Sequence, residues 1–133
     1  MSKRFHVLIA DKNPHIRNFL KREFTTAGYI VRVAESSEQL LKMVYEPMRL
    51  DLLIIDPDLP DADFTLLSRK LRDRVPQLPV VVHTLDASSE NLRLPFRIAQ
   101  RVEKNGCSVE SLKKTVAGML SARQRRTGGG QSR

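Results

Sequence analysis

Four side chains combine types that could do chemistry at one place: the carboxylates of Asp11 and Asp56, the hydroxyl of Thr84 and the ammonium of Lys104. A carboxylate can act as nucleophile, cation ligand or turn cap. A hydroxyl donates a hydrogen bond, and an ammonium is a compact point charge for an anionic oxygen. Each of the four stands at or just beyond the end of a strand-like run, and each alone is commonplace. What matters is that all four recur at the same kind of position. Other candidates lack such a pattern. Asp58, Asp61 and Asp63 read as turn formers after Asp56, and His6, His15 and His83 share no metal-ligand spacing, with His83 expected to pack on a sheet. Cys107 is the sole cysteine, which excludes a disulfide framework or thiolate cluster within this sequence. Gly128-Gly-Gly130 is no phosphate loop, because no Lys-Ser/Thr or helix signal follows it.

The elements that must position these residues are legible from changes of period. Phe5–Ala10 is an apolar run suited to a strand buried on both faces. Asn13 then caps a helix with Pro14 at its first position; Ile16, Phe19, Leu20, Phe24 and Ala27 follow at helical spacing, and Gly28 ends it. Tyr29–Ala34 reads as a second strand. Ser36 and Gln39 form a capping box for a helix carrying Leu40, Leu41 and Val44 and ending before Pro47. Leu52–Ile55 is the third strand, broken sharply by Asp56-Pro-Asp-Leu-Pro-Asp61. Phe64, Leu67 and Leu71 mark a third helix that stops before Pro76. Pro79–Thr84 is the fourth strand and Phe96–Val102 the fifth. Between them, Ser88-Ser-Glu-Asn opens at most about two turns of helix before Pro95, so the fourth helix is short or degenerate. Val109, Leu112, Val116, Met119 and Leu120 form the stripe of a final helix, with Ser108 expected as its N-cap.

Strands alternating with helices imply βαβ units with right-handed crossovers and a parallel sheet. Five such units give an α/β, doubly wound, five-stranded parallel sheet in the flavodoxin-like order 2-1-3-4-5. In open sheets of this kind ligands sit beyond the carboxyl ends of the strands, which is where Asp11, Asp56, Thr84 and Lys104 fall.

Together these residues resemble the receiver domain of two-component response regulators, of the chemotaxis-regulator type. Ile9-Ala-Asp11-Lys-Asn-Pro14 is similar to that family's acidic first-strand turn. Leu53-Ile-Ile-Asp56-Pro-Asp-Leu-Pro60-Asp-Ala-Asp63 is similar to its phosphorylation loop, Val80–Thr84 to the strand bearing its switch hydroxyl, and Val102-Glu-Lys104 to the strand bearing its lysine. The resemblance runs from about Phe5 to Leu120. It implies a signalling module in a phosphorelay, not a turnover enzyme. Asp56 would accept a phosphoryl group from a histidine kinase or phosphotransfer protein, forming an aspartyl phosphate. Lys104 and Thr84 would contact the phosphoryl oxygens, and Mg²⁺ would be held by Asp11, Asp56 and the backbone carbonyl of Asp58. The output would be contact with a downstream protein target. A homodimer through the last helix is the other association the resemblance suggests, although packing on the sheet already accounts for that helix's apolar stripe.

Three positions depart from the family pattern. Lys12 stands where a second acid usually ligates the metal, so Mg²⁺ is expected to bind weakly or not at all. Arg101 stands three residues before Lys104, where the family's switch aromatic lies. Asn105-Gly106 follows the lysine in place of a proline. Lys12 and Arg101 favour an alternative, a pseudo-receiver that serves as an interaction module without phosphorylation. A flavin or nucleotide binder on the same fold is disfavoured by the lack of a Gly-rich phosphate loop.

Composition bounds the rest. The 133 residues allow one domain, expected over residues 1–122, with a short tail. Aromatic residues are 5% and Trp is absent, so the core must be built from Val, Ile, Leu and Met. No apolar run reaches the ~20 residues of a membrane span and no secretory leader pattern is present, which suggests a cytoplasmic protein. Half of the net charge of +8 lies on Arg123, Arg125, Arg126 and Arg133, with no acid after Ala122. Residues 123–133 read as a disordered basic tail, the one segment through which nucleic acid would be attracted.

Overall fold

The computed structural model describes residues 4–60, 64–74, 77–86 and 94–131, with 123–131 described by their backbone. Among the described residues, five strands and four helices follow one another as β1 (His6–Ala10), α1 (Pro14–Thr26), β2 (Ile30–Ala34), α2 (Ser37–Tyr45), β3 (Leu52–Ile55), α3 (Phe64–Asp73), β4 (Val80–Thr84), β5 (Gln100–Glu103) and α4 (Ser108–Gln131). The strands form one parallel sheet in the order β2-β1-β3-β4-β5. Among the described residues no helix is long and apolar enough to cross a membrane.

Alternation along the central strands divides the core in two. Leu8, Leu53, Ile55, Val80 and Val82 face one side, with Leu40 and Val44 of α2 and Leu67 and Leu71 of α3. Val7, Ile9, Leu52, Ile54 and Val81 face the other, with Leu20 and Phe24 of α1 and Leu112, Val116 and Leu120 of α4. A strand buried on both faces reads as a continuous apolar run, which is why Leu52–Ile55 carries no polar residue.

The caps hold the site-bearing turns in place. Asn13 accepts hydrogen bonds from the N–H groups of His15 and Ile16, with Pro14 behind it. Ser36 accepts from Gln39 N–H, whose own side chain accepts from Glu35 N–H. Gly28 ends the first αβ turn at φ 102°, a left-handed conformation that a side chain disfavours.

Two expectations are corrected. The fifth strand begins at Gln100, not Phe96. Phe96 and Ile98 pack instead onto the α2–α3 core, with Phe96 edge-to-face on Phe64, and Ser68 Oγ donates to the Pro95 carbonyl, pinning the segment outside the sheet. Ser108 is not a free cap but the first residue of α4, with its hydroxyl at 3.1 Å from His83 Nε2; Asn105 makes the preceding turn by accepting from Cys107 N–H. The backbone of α4 runs on to Gln131. Once packing fixes the Leu112–Leu120 turns, each further residue adds a backbone hydrogen bond; Ala122 to Arg126 are good helix formers, whereas Gly128, Gly129 and Gly130 are poor ones. The short helix expected at Ser88, together with Asp61 and Asp63, lies outside the described residues.

Candidate functional site

The sheet register builds the site. Ala10 pairs with Ile55, and one step beyond this rung Asp56 N–H donates to the Ala10 carbonyl at 2.8 Å while Asp11 N–H donates to Ala34 at 3.1 Å. Asp11 and Asp56 therefore leave adjacent strands side by side. Across the sheet, Lys104 N–H donates to the Thr84 carbonyl at 2.6 Å, bringing the exits of β4 and β5 to the same rim.

Lys104 closes this arrangement. Its Nζ lies 3.1 Å from Asp11 Oδ2 and 3.3 Å from Asp56 Oδ2, with all three side chains at most 10% exposed. Backbone donors add to this. Asn13 N–H donates to Asp11 Oδ1 at 2.9 Å, Asp58 N–H to Asp56 Oδ1 at 2.9 Å, and Lys12 N–H to Asp56 Oδ2 at 3.4 Å. Thr84 is buried at the same rim, whereas the side chains of Lys12, Asp58 and Arg101 are exposed. The structure thus gathers Asp11, Asp56 and Lys104 into direct contact, and joins Thr84 to them through the Lys104 backbone.

The electrostatics follow from burial. Taking Asp11 out of water holds its carboxyl above the ordinary carboxylate value; the Asn13 N–H and Lys104 oppose that shift and the neighbouring Asp56 charge adds to it. One ammonium shared by two carboxylates leaves an excess negative charge, which suits the site to a group that changes charge when it reacts. His83, 2% exposed behind the site on the α1–α4 side, is pushed down to about 4, first by burial and then by Lys104. Among the described residues its Nδ1 has no hydrogen-bond partner.

Sequence reading did not find two contributors. Arg17 reaches back from α1 to donate to the Asp11 carbonyl at 2.8 Å and pairs with Glu35 at 3.5 Å, fastening the first turn to β2. His83 was expected only to pack; it also ties β4 to the start of α4. Neither leaves a sequence signal beyond its position, because both contacts span separate elements.

The donors do not fit a divalent cation. Mg²⁺ is ordinarily held by one or two carboxylates with room for water around it. Here every oxygen of Asp11 and Asp56 already accepts from a donor, and one donor is itself a cation. Among the described residues no three acidic, His or Cys side chains are grouped as a metal set.

Residues 7–99 match the family described as the response regulator receiver domain. The chain belongs to that family. The sensor protein EvgS of Escherichia coli strain K12 is 36% identical over 89 residues, which is 67% of this chain but only 7% of EvgS. The chain therefore spans a small part of that relative's length. The receiver of CheY-like type from Methanospirillum hungatei superposes with a TM-score of 0.74 at 23% identity, covering 92% of this chain and 99% of that one. The regulator TrrA of Thermotoga maritima, in complex with Mg²⁺-BeF, superposes at 0.73 with 23% identity over 86% of this chain and 98% of its own. In complex with the histidine kinase ThkA, TrrA superposes at 0.71 with 24% identity, covering 87% and 98%. At these identities the likeness is one of fold, and it agrees with the strand order found here.

Proposed function

We propose that this receiver accepts a phosphoryl group on Asp56 from a histidine kinase or a phosphotransfer protein and signals through contacts with a downstream protein. The observation that carries the reading is the buried Asp56 carboxylate at the exit of the central strand, 3.3 Å from the Lys104 ammonium. An Asp56 oxygen attacks phosphorus, the bond from phosphorus to the kinase imidazole nitrogen breaks, and that nitrogen leaves with the electron pair. Little else is asked of the protein than alignment and neutralisation of the oxygens. Lys104 is already placed for the second task, and the Thr84 hydroxyl at the same rim donates to a further oxygen. A cavity of about 300 Å³ beside Lys104, lined by Ile16, Phe19, His83, Leu85 and Ser108, offers apolar footing for the donor, with Phe19 and Leu85 exposed. The TrrA–ThkA complex supports a kinase as the partner class.

A second reading is favoured by Lys12 and Arg101: a pseudo-receiver that binds partners without being phosphorylated. Intact-mass spectrometry after incubation with acetyl phosphate separates the two. The first reading expects one added phosphoryl mass that an Asp56→Ala variant lacks; no addition under any condition supports the second.

A further inference from the structure

Resting on Asp56 as the acceptor, we infer that this receiver is phosphorylated without a divalent metal, its own ammonium groups on Lys104 and Lys12 supplying the positive charge. The geometry argues for this in three ways. First, Lys104 Nζ sits between Asp11 Oδ2 and Asp56 Oδ2, at 3.1 and 3.3 Å, so a cation already bridges the two carboxylates. Second, the other oxygens of the pair are occupied by the N–H groups of Asn13 and Asp58, and Asp56 Oδ2 also accepts from Lys12 N–H. A metal bridging Asp11 Oδ2 and Asp56 Oδ2 would have to displace the ammonium. Third, cations flank the pair. Lys12 follows Asp11 directly with its backbone on Asp56, and Arg17 holds the Asp11 carbonyl. Each lowers the attraction of the site for a dication, Lys12 the less because water screens its exposed side chain.

The Lys12 side chain is exposed and on the chain segment that touches Asp56, so it can turn to an added phosphoryl group without repacking. The phosphoryl transfer itself is unchanged: an Asp56 oxygen forms the bond to phosphorus, the donor oxygen or nitrogen leaves, and the two ammonium groups balance the oxygens in place of a metal.

Two measurements on the full chain test this. In the first, Mg²⁺ is titrated into the protein while the amide signals of Asp11, Lys12 and Asp58 are followed by NMR. We expect no saturable shift in the wild type below about 10 mM, and binding at least about tenfold tighter in Lys12→Asp, where an exposed cation becomes an acid. Saturable wild-type binding below about 1 mM overturns the inference. In the second, intact mass is read after incubation with acetyl phosphate in EDTA or in Mg²⁺. Equal phosphoryl addition in both supports the inference, as does addition that becomes Mg²⁺-dependent in Lys12→Asp. Addition only with Mg²⁺ overturns it and leaves Asp56 standing as the acceptor. No addition in either overturns the reading of Asp56, and the inference falls with it.

Discussion

The third strand carries a buried aspartate at each end, and the two are held in opposite ways. Asp51, before β3, has its carboxylate fully spoken for: His6 N–H donates at 2.7 Å and Arg49 Nε lies at 3.1 and 3.3 Å from its two oxygens. Asp51 N–H in turn donates to the His6 carbonyl at 2.8 Å, so the pair locks β1 to β3 at their entry. Asp56, at the exit, shares one ammonium with a second carboxylate. One end balances charge and fixes register. The other leaves charge unbalanced beneath the surface. Burial alone does not separate the two acids; the ratio of carboxylates to cations around each does.

The largest test of this contrast is all-or-none. Asp56→Ala should lose all phosphoryl addition from acetyl phosphate while folding as well as the wild type, and Asp51→Ala should keep it. A folded Asp51→Ala that takes up no phosphoryl would break the division of roles. Next comes the acid limb of stability, which His83 dominates. Its imidazole takes a proton near 6.5 when unfolded but only near 4 when folded, so the unfolded state binds more protons between those values. Stability should therefore fall as pH drops from about 6.5 to 4, by about 3 kcal/mol, and His83→Leu should flatten that limb in urea titrations. An unchanged slope would show that His83 does not report the burial behind the site.

At the structural end, Asp51→Ala leaves the His6 N–H without its side-chain acceptor. A loss of about 2 kcal/mol is expected from urea unfolding, and a loss near zero would mean that the register needs no lock. The smallest effect runs the other way. Burial raises Asp11 in the folded state, so its charge costs stability at neutral pH. Asp11→Asn should therefore raise stability at pH 7, read from urea unfolding. That gain should shrink as pH falls through the raised folded value, where the native carboxyl already takes its proton. A loss at pH 7 would show that the Lys104 contact outweighs burial.

The four site positions were legible because each sits where a parallel strand must end, and the ends of parallel strands converge. Lys12 was legible for the same reason, as a residue of opposite charge in an acidic turn. The start of the fifth strand was not. Phe96 and Ile98 are apolar and alternate like a strand, but the α2–α3 core claims them as packing residues, and local pattern cannot tell the two uses apart. The hydroxyl of Ser108 was misassigned to capping because its partner, His83, lies 25 residues away in sequence. Asp51 passed unremarked, since a lone acid beside a strand gives no hint of the backbone donor that meets it.

By itself, then, the sequence determined the alternation of strand and helix, the order of the sheet, and the rim on which Asp11, Asp56, Thr84 and Lys104 meet. Those follow from period, from caps and from the handedness of crossovers, all of which act over a few residues. The tertiary structure alone decided that Lys104 bridges both carboxylates, that backbone N–H groups occupy their other oxygens, and that the two ends of β3 differ in charge balance. These depend on distances between side chains far apart in the chain, which are set only when both faces of the sheet have packed.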